Sequence, residues 1–261
     1  MWVPETGGQG GQVADEVSRF AFVTCSDVGR VRTNNEDVVA VDADGSWALL
    51  ADGMGGYRGG EVAARIAVDC VADALRLQYR VGWTAQEVEP IIGAAIRNAN
   101  AAVHSASIRD PDLAYMGSTI VAAVFTDDAV VVAHVGDSRL YRCRAGRLEL
   151  LTRDHTVLQE LIDDGMISAE EANQSGARGL LTRGLGVAPD VEADVGVYAL
   201  LSDDLFLLCS DGLTDMLLES TIRGVLTSPK SPEEVAETLV EMANTNGGRD
   251  NISVILARVR V

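Results

Sequence analysis

Positive charge is what this chain has least of. Its 21 Lys and Arg stand against 39 Asp and Glu, for a formal net charge of −18. Such a chain repels nucleic acid and anionic lipid unless it carries a local basic patch, and its basic residues are scattered. Long apolar runs are missing too. No stretch approaches the roughly 20 residues of a membrane-spanning helix. Met1 to Glu16 has no basic region followed by an apolar core, so no signal peptide is expected. The expectations are cytoplasmic residence, no nucleic-acid partner and no membrane insertion. Cysteine is scarce: Cys25, Cys70, Cys143 and Cys209 form no Cys-x-x-Cys pair. Each lies among apolar residues, as buried reduced thiols do. The histidines His104, His134 and His155 lack zinc-ligand spacing. No Walker-type loop occurs, and Gly55-Gly56-x-x-Gly59-Gly60 lacks the dinucleotide fingerprint. No loop matches the EF-hand pattern.

What is present points to one large domain. The chain has 261 residues, and 47% of them are hydrophobic, enough for a sizeable core. Residues 1–15 are Gly-rich and read as a flexible tail, which leaves 16–261 as the domain. Strand-like runs come first: Phe20–Thr24, Val38–Val41 and Trp47–Ala51. Helices follow at Glu61–Arg76 and Gln86–Val103, the second with an apolar stripe through Val88, Ile91, Ile92, Ala95, Ile96, Ala99 and Val103. Thr119–Phe125 and Val130–Val135 are separated by a short acidic turn, so they must pair antiparallel; a parallel pair needs a long crossover. Leu140–Arg144 and Leu148–Leu151 form a second hairpin around Ala145-Gly146. Residues 154–190 are polar and mixed. Leu205–Cys209 reads as a buried strand, Ser231–Asn244 as an amphipathic helix and Ile252–Val259 as a closing strand. The class is α+β with antiparallel sheets, several of whose strands are apolar enough to be buried on both faces.

Four acidic stations share one design, an Asp in a tight turn at the end of an apolar strand. They are Asp52-Gly53, Gly136-Asp137-Ser138, Ser210-Asp211-Gly212 and Arg249-Asp250-Asn251. Asp is common in turns for conformational reasons alone. Four stations at central strand ends suggest more. If those ends meet, their carboxylates repel one another unless cations lie between them. Ligation by oxygen without His or Cys selects a hard ion, magnesium or manganese. Glu36-Asp37 adds a further acidic pair, and Arg32 before it could grip a phosphate through two parallel hydrogen bonds.

Six segments carry a resemblance. They are Arg32-x-x-x-Glu36-Asp37, Asp52-Gly53-Met54-Gly55-Gly56, Gly117-Ser118-Thr119, Val135-Gly136-Asp137-Ser138-Arg139, Ser210-Asp211-Gly212-x-x-Asp215 and Gly248-Arg249-Asp250-Asn251-Ile252-Ser253. In this order and spacing, over roughly residues 18–261, the chain resembles the metal-dependent type 2C protein serine/threonine phosphatases. Met54 and Leu151-Thr152-Arg153-Asp154-His155 look like the bacterial branch. The resemblance implies a four-layer α-β-β-α sandwich, two antiparallel sheets with helices outside each, and a binuclear centre of manganese or magnesium at one end. By resemblance, Asp52 bridges the two ions and the Gly53 carbonyl binds one. Asp211 and Asp250 bind the other. Glu36 and Asp37 act through water, and Arg32 holds the phosphate. Asp137, with Asp211 and Asp215, implies a third, weaker site. The implied reaction is in-line attack by a metal-bridging hydroxide on phosphoserine or phosphothreonine, with no phosphoenzyme. No Cys-x5-Arg motif surrounds any cysteine. Expected partners are phosphorylated proteins and a bacterial serine/threonine kinase with its substrates, and a monomer is expected.

Two rivals share the chemistry or the fold: a hydrolase of small phosphoesters, and a binding module without catalysis. The second should have lost metal carboxylates, yet Asp52, Asp211 and Asp250 are all present. Two departures bear on mechanism. Animal members have His where this chain has Met54, so a dedicated acid for the leaving group is missing there, with His155 the alternative. The Gly-rich stretch 163–186 is expected to form a mobile flap; Ser175-Gly176 stands where bacterial relatives often carry His-Pro.

Overall fold

Strand after strand is apolar on both faces because each is covered twice, by a second sheet and by helices. The computed structural model describes residues 20–55, 59–168, 171–172 and 179–259. The expected tail over 1–15 lies outside them, as do Ser175 and Gly176 of the expected flap. The strands are β1 (Phe20–Asp27), β2 (Asp37–Val41), β3 (Trp47–Met54), β4 (Gly117–Ser118), β5 (Ile120–Phe125), β6 (Ala129–Val135), β7 (Arg139–Arg144), β8 (Arg147–Leu150), β9 (Asp194–Ala199), β10 (Leu205–Cys209) and β11 (Ile252–Val259). The α-helices are α1 (Gly59–Gln78), α2 (Ala85–Arg109), α3 (Val157–Asp163), α4 (Asp211–Thr214), α5 (Glu219–Leu226) and α6 (Pro232–Thr245).

Two antiparallel sheets result. One runs β2-β3-β5-β6-β9, with β4 paired to the end of β3; the other runs β1-β11-β10-β7-β8. Side-chain alternation divides each central strand between two cores. Ala48 and Leu50 of β3 face Phe206 and Leu208 of β10 in the core between the sheets. Leu49 and Ala51 point the other way and pack with Ala63, Ala67 and Val71 of α1 and Ile92 and Ile96 of α2. Leu207 and Cys209 pack outward against Leu239 and Ala243 of α6. This is the expected four-layer sandwich. Ser231 and Glu234 start α6 with a reciprocal cap (Ser231 N donates to Glu234 Oε2 at 2.8 Å), and Pro232 occupies the first turn.

Three expectations need revision. β3 does not stop at Ala51; it continues through Asp52 to Met54, because Asp37 pairs with Asp52 on one side and Gly53 and Met54 pair with β4 on the other. Strand β9 was not anticipated. Its residues alternate only between exposed and half-buried, and Asp194 and Gly196 break up its first half. Helix α5 was missed for a similar reason, having only Ile222 and Leu226 as buried anchors. Leu181–Gly186 is bonded to the body: Leu181 bridges Thr156, Leu185 bridges Ser118, and Gly186 N donates to Asn100 Oδ1 at 2.8 Å.

Candidate active site

Antiparallel pairing brings the four stations to one end. β3, β6 and β10 end there; β2 and β11 begin there. The turn Gly136–Ser138 crosses from β6 in one sheet to β7 in the other at this same end. A cleft of about 530 Å³ results. Arg32, Glu36, Asp52, Gly53, Asp137, Asp211, Asp215 and Asp250 all line it, so eight of the nine expected site residues converge. The ninth, Asp37, lies beneath: it is buried, in register with Asp52, and its Oδ2 accepts from Ser210 Oγ at 2.8 Å.

The electrostatics are those of carboxylates crowded away from water. Burial first, then the charges of Asp37, Asp211 and Asp137, push Asp52 well above the usual carboxylate range. Burial, then Asp137 and Asp250, does the same to Asp211. Burial raises Asp37 to about 6 against the opposing hydrogen bonds of Ser253 and Ser210. Asp137 is also raised to about 6, by burial and then by Asp154. Two oxygens, Asp37 Oδ1 and Asp211 Oδ1, are buried without a hydrogen-bond partner. An unmet buried acceptor costs about 1–3 kcal/mol, more when charged. Cations relieve both problems, and the donor set, all oxygen, fits a hard divalent ion.

Glycine allows the close backbone packing here. A side chain on Gly53 would run into the Gly60 carbonyl, and one on Gly212 into the Asn251 carbonyl. These glycines therefore admit neighbouring chain rather than only leaving room for an ion. Arg32 is half-exposed and donates through Nη2 to Asp250 Oδ2 at 2.8 Å.

Several residues that hold the site were given no role from sequence. Asn251 is a hub: its Oδ1 accepts from Glu36 N at 2.8 Å, and its Nδ2 donates to the carbonyls of Val28 (3.0 Å) and Asn34 (2.9 Å). Thr119 Oγ1 accepts from Asp52 N at 2.9 Å and pairs with Ser138 Oγ at 2.8 Å. Ser118 Oγ donates to the Asp52 carbonyl at 3.0 Å. The available signal was small hydroxyls interrupting apolar strand ends.

His155 is buried and outside the residues that line the cleft. Burial, then His134 and Arg183, lowers it to about 4. Its place is structural rather than that of a proton donor to substrate. His134, His155 and Asp194 do bring one ligand atom each to within 4.8 Å of one another. The tautomer opposes an ion there. His155 Nδ1 accepts from Gly136 N at 3.1 Å, so the proton of the neutral ring sits on Nε2, facing Asp194 Oδ2 at 3.3 Å. His134 Nε2 is already engaged by the Arg153 backbone, with the carbonyl at 2.7 Å and N at 3.2 Å.

A sandwich of this topology, with convergent acids at one end, defines a metal-dependent phosphatase class of site. The family model "Protein phosphatase 2C" matches residues 29–257, and the chain belongs to that family. Serine/threonine phosphatase stp of Listeria monocytogenes is 39% identical over 234 residues, which is 88% of this chain and 92% of that protein. The crystal structure of the Mycobacterium tuberculosis serine/threonine phosphatase PstP/Ppp superposes with a TM-score of 0.86 at 36% identity, covering 93% of this chain and 99% of that one. A structure of the PstP catalytic domain in complex with two manganese ions gives 0.82 at 36% identity, with 93% and 99% covered. Metal dependence follows from the family and from that complex. Among the described residues, no helix is long and apolar enough to cross a membrane.

Proposed function

We propose that this chain is a metal-dependent phosphatase that hydrolyses phosphoserine and phosphothreonine in other proteins. The observation that carries this reading is the convergence of Asp52, Asp137, Asp211 and Asp250 on one cleft, above the partnerless oxygens of Asp37 and Asp211. In this reading two manganese or magnesium ions are held by Asp52 with the Gly53 carbonyl, and by Asp211 with Asp250. Glu36 and Asp37 are reached through water. Asp137, Asp211 and Asp215 serve a third, weaker ion. When bound, such ions acidify water and offset charge on phosphoryl oxygens.

The chain's own groups do the rest. Arg32 orients the phosphate, its guanidinium swinging from Asp250, which is free to turn toward an ion. Thr119 and Ser118 hold the Asp52 backbone on both sides, so its carboxylate is presented in one position. Met54 lines the cleft and has no proton to give, so the leaving group would take its proton from water, metal-bound or bulk. A serine/threonine kinase and its targets are the proposed biological counterparts, with this chain acting as a monomer in the cytoplasm.

The test is hydrolysis of a phosphothreonine peptide and of a small aryl phosphate, with manganese and with chelator. Manganese-dependent release from both supports the reading. Release from the aryl phosphate alone would make it a small-phosphoester hydrolase, and release from neither would leave a binding module.

A further inference from the structure

The cleft is lined by distant parts of the chain, and one buried residue, His155, is bonded to two of them, through its ring and through its backbone. One is the Gly136–Asp137 turn. Gly136 has φ +102°, and a side chain on it would press into Thr119, whose Cγ2 would lie 2.6 Å away. This is a glycine-only conformation with a buried amide that must find an acceptor. That acceptor is His155 Nδ1 at 3.1 Å, and His155 N returns a bond to the Gly136 carbonyl at 3.0 Å. Leu181 lines the same cleft. At the next residue the His155 carbonyl accepts from Thr182 N at 2.8 Å. The far edge of the ring meets Asp194, which also takes Arg183 Nη1 at 2.7 Å. The ring face stacks on His134, centroids 4.7 Å apart.

We propose that His155 is a positioning residue. Through Nδ1 it sets the turn that aims Asp137 into the cleft, and through its own carbonyl, bonded to Thr182 N, and the Nε2 edge that faces Asp194, it holds that turn against the Leu181–Arg183 segment. The proposal rests on the functional reading above, in which Asp137 serves the weaker ion. Neither substrate nor ion touches the ring. Its effect depends on the tautomer it holds: only a ring protonated at Nε2 leaves Nδ1 free to accept from Gly136 while it turns an N–H edge toward the Asp194 carboxylate.

His155→Asn and His155→Leu separate this role from packing. They are close in size, but only Asn can accept from Gly136 N. Manganese binding is measured by calorimetry, and kcat and KM are measured on an aryl phosphate. His155→Leu is expected to weaken the weaker manganese site and lower kcat by about 10- to 100-fold, the usual loss when a group supporting a ligand is removed, with KM little changed. His155→Asn is expected to recover most of both losses. Equal loss in the two variants, or a wild-type weak site in His155→Leu, would overturn the proposal. If His155→Leu does not fold, Asp194→Ala reads the other half of the link: a smaller loss at the weak site supports it, and wild-type binding and kcat overturn it. A wild-type protein that binds no manganese and cleaves no phosphoester would sink the functional reading instead.

Discussion

Leu50 and Asp52 sit two residues apart on the same strand, and they show what the middle and the end of this sandwich are each for. Leu50 is fully buried between the sheets, where every atom removed from water stabilises the fold. Asp52 is on the same face of the strand, at the edge where the apolar layer opens into the cleft. There the protein packs around a charge and surrounds it with more charge of the same sign. The middle of the strand is built at a free-energy gain. The end is built at a cost, which the middle offsets and which a bound cation turns into affinity.

That contrast can be broken at either residue. Asp52→Asn or Asp211→Asn is expected to lower turnover by about 10³-fold or more at any manganese concentration, the scale of losing a preorganised group that stabilises charge. The same substitution should raise the melting temperature of the metal-free protein, because it removes a desolvated carboxylate from a repelling cluster. Wild-type turnover in either variant would refute the binuclear reading. Leu50→Ala should do the reverse. It is expected to cost about 2–5 kcal/mol in urea unfolding, as buried Leu truncations do, while activity per folded molecule and manganese stoichiometry stay near wild type. A lost metal site in Leu50→Ala would mean that the two ends of the strand are not separable.

The smallest expected effect is in pH, and it sharpens the comparison. Asp37 and Asp137 are held at about 6 when folded, against an ordinary value of 3.8. Between those values the unfolded chain releases protons that the folded chain keeps. These two groups therefore make metal-free protein lose stability as pH rises from about 4 to about 6, with the slope set by the proton difference. Asp52 and Asp211, raised further, extend the loss upward. Asp27 and Asp194 are shifted down, by Asn244 and, against burial, by Arg183; their gain in stability with rising pH comes below the ordinary value of 3.8, outside this window. The difference between chelated and manganese-loaded protein isolates the cleft, because an ion favours ionised carboxylates. The gap in urea midpoint should widen from pH 4 to above pH 6; a gap independent of pH would contradict the raised values.

Much of this architecture was legible without coordinates. Thr126–Asp128 is too short to join parallel strands, so β5 and β6 had to be a hairpin. Runs such as Phe206-Leu207-Leu208 are apolar at every position, which demands cover on both faces; the four layers themselves came from the family resemblance. Asp52, Asp137, Asp211 and Asp250 announced themselves as charges at the ends of such runs. These are local properties, readable from composition and alternation. What tertiary structure alone decided is non-local. Asp37 pairs across from Asp52 and so lies below the cleft rather than on its wall. Asn251 joins Glu36, Val28 and Asn34 across more than 200 positions of sequence. Strand β9 exists because β6 offers it an edge to pair with, since none of its own residues is fully buried. His155 bonds to both Gly136 and Thr182 because the fold brings those two segments to the same residue. The sequence determined which groups were available and which way each strand ran, because alternation and linker length act within a few residues. Which groups met was set by antiparallel register and sheet stacking, which depend on all strands at once.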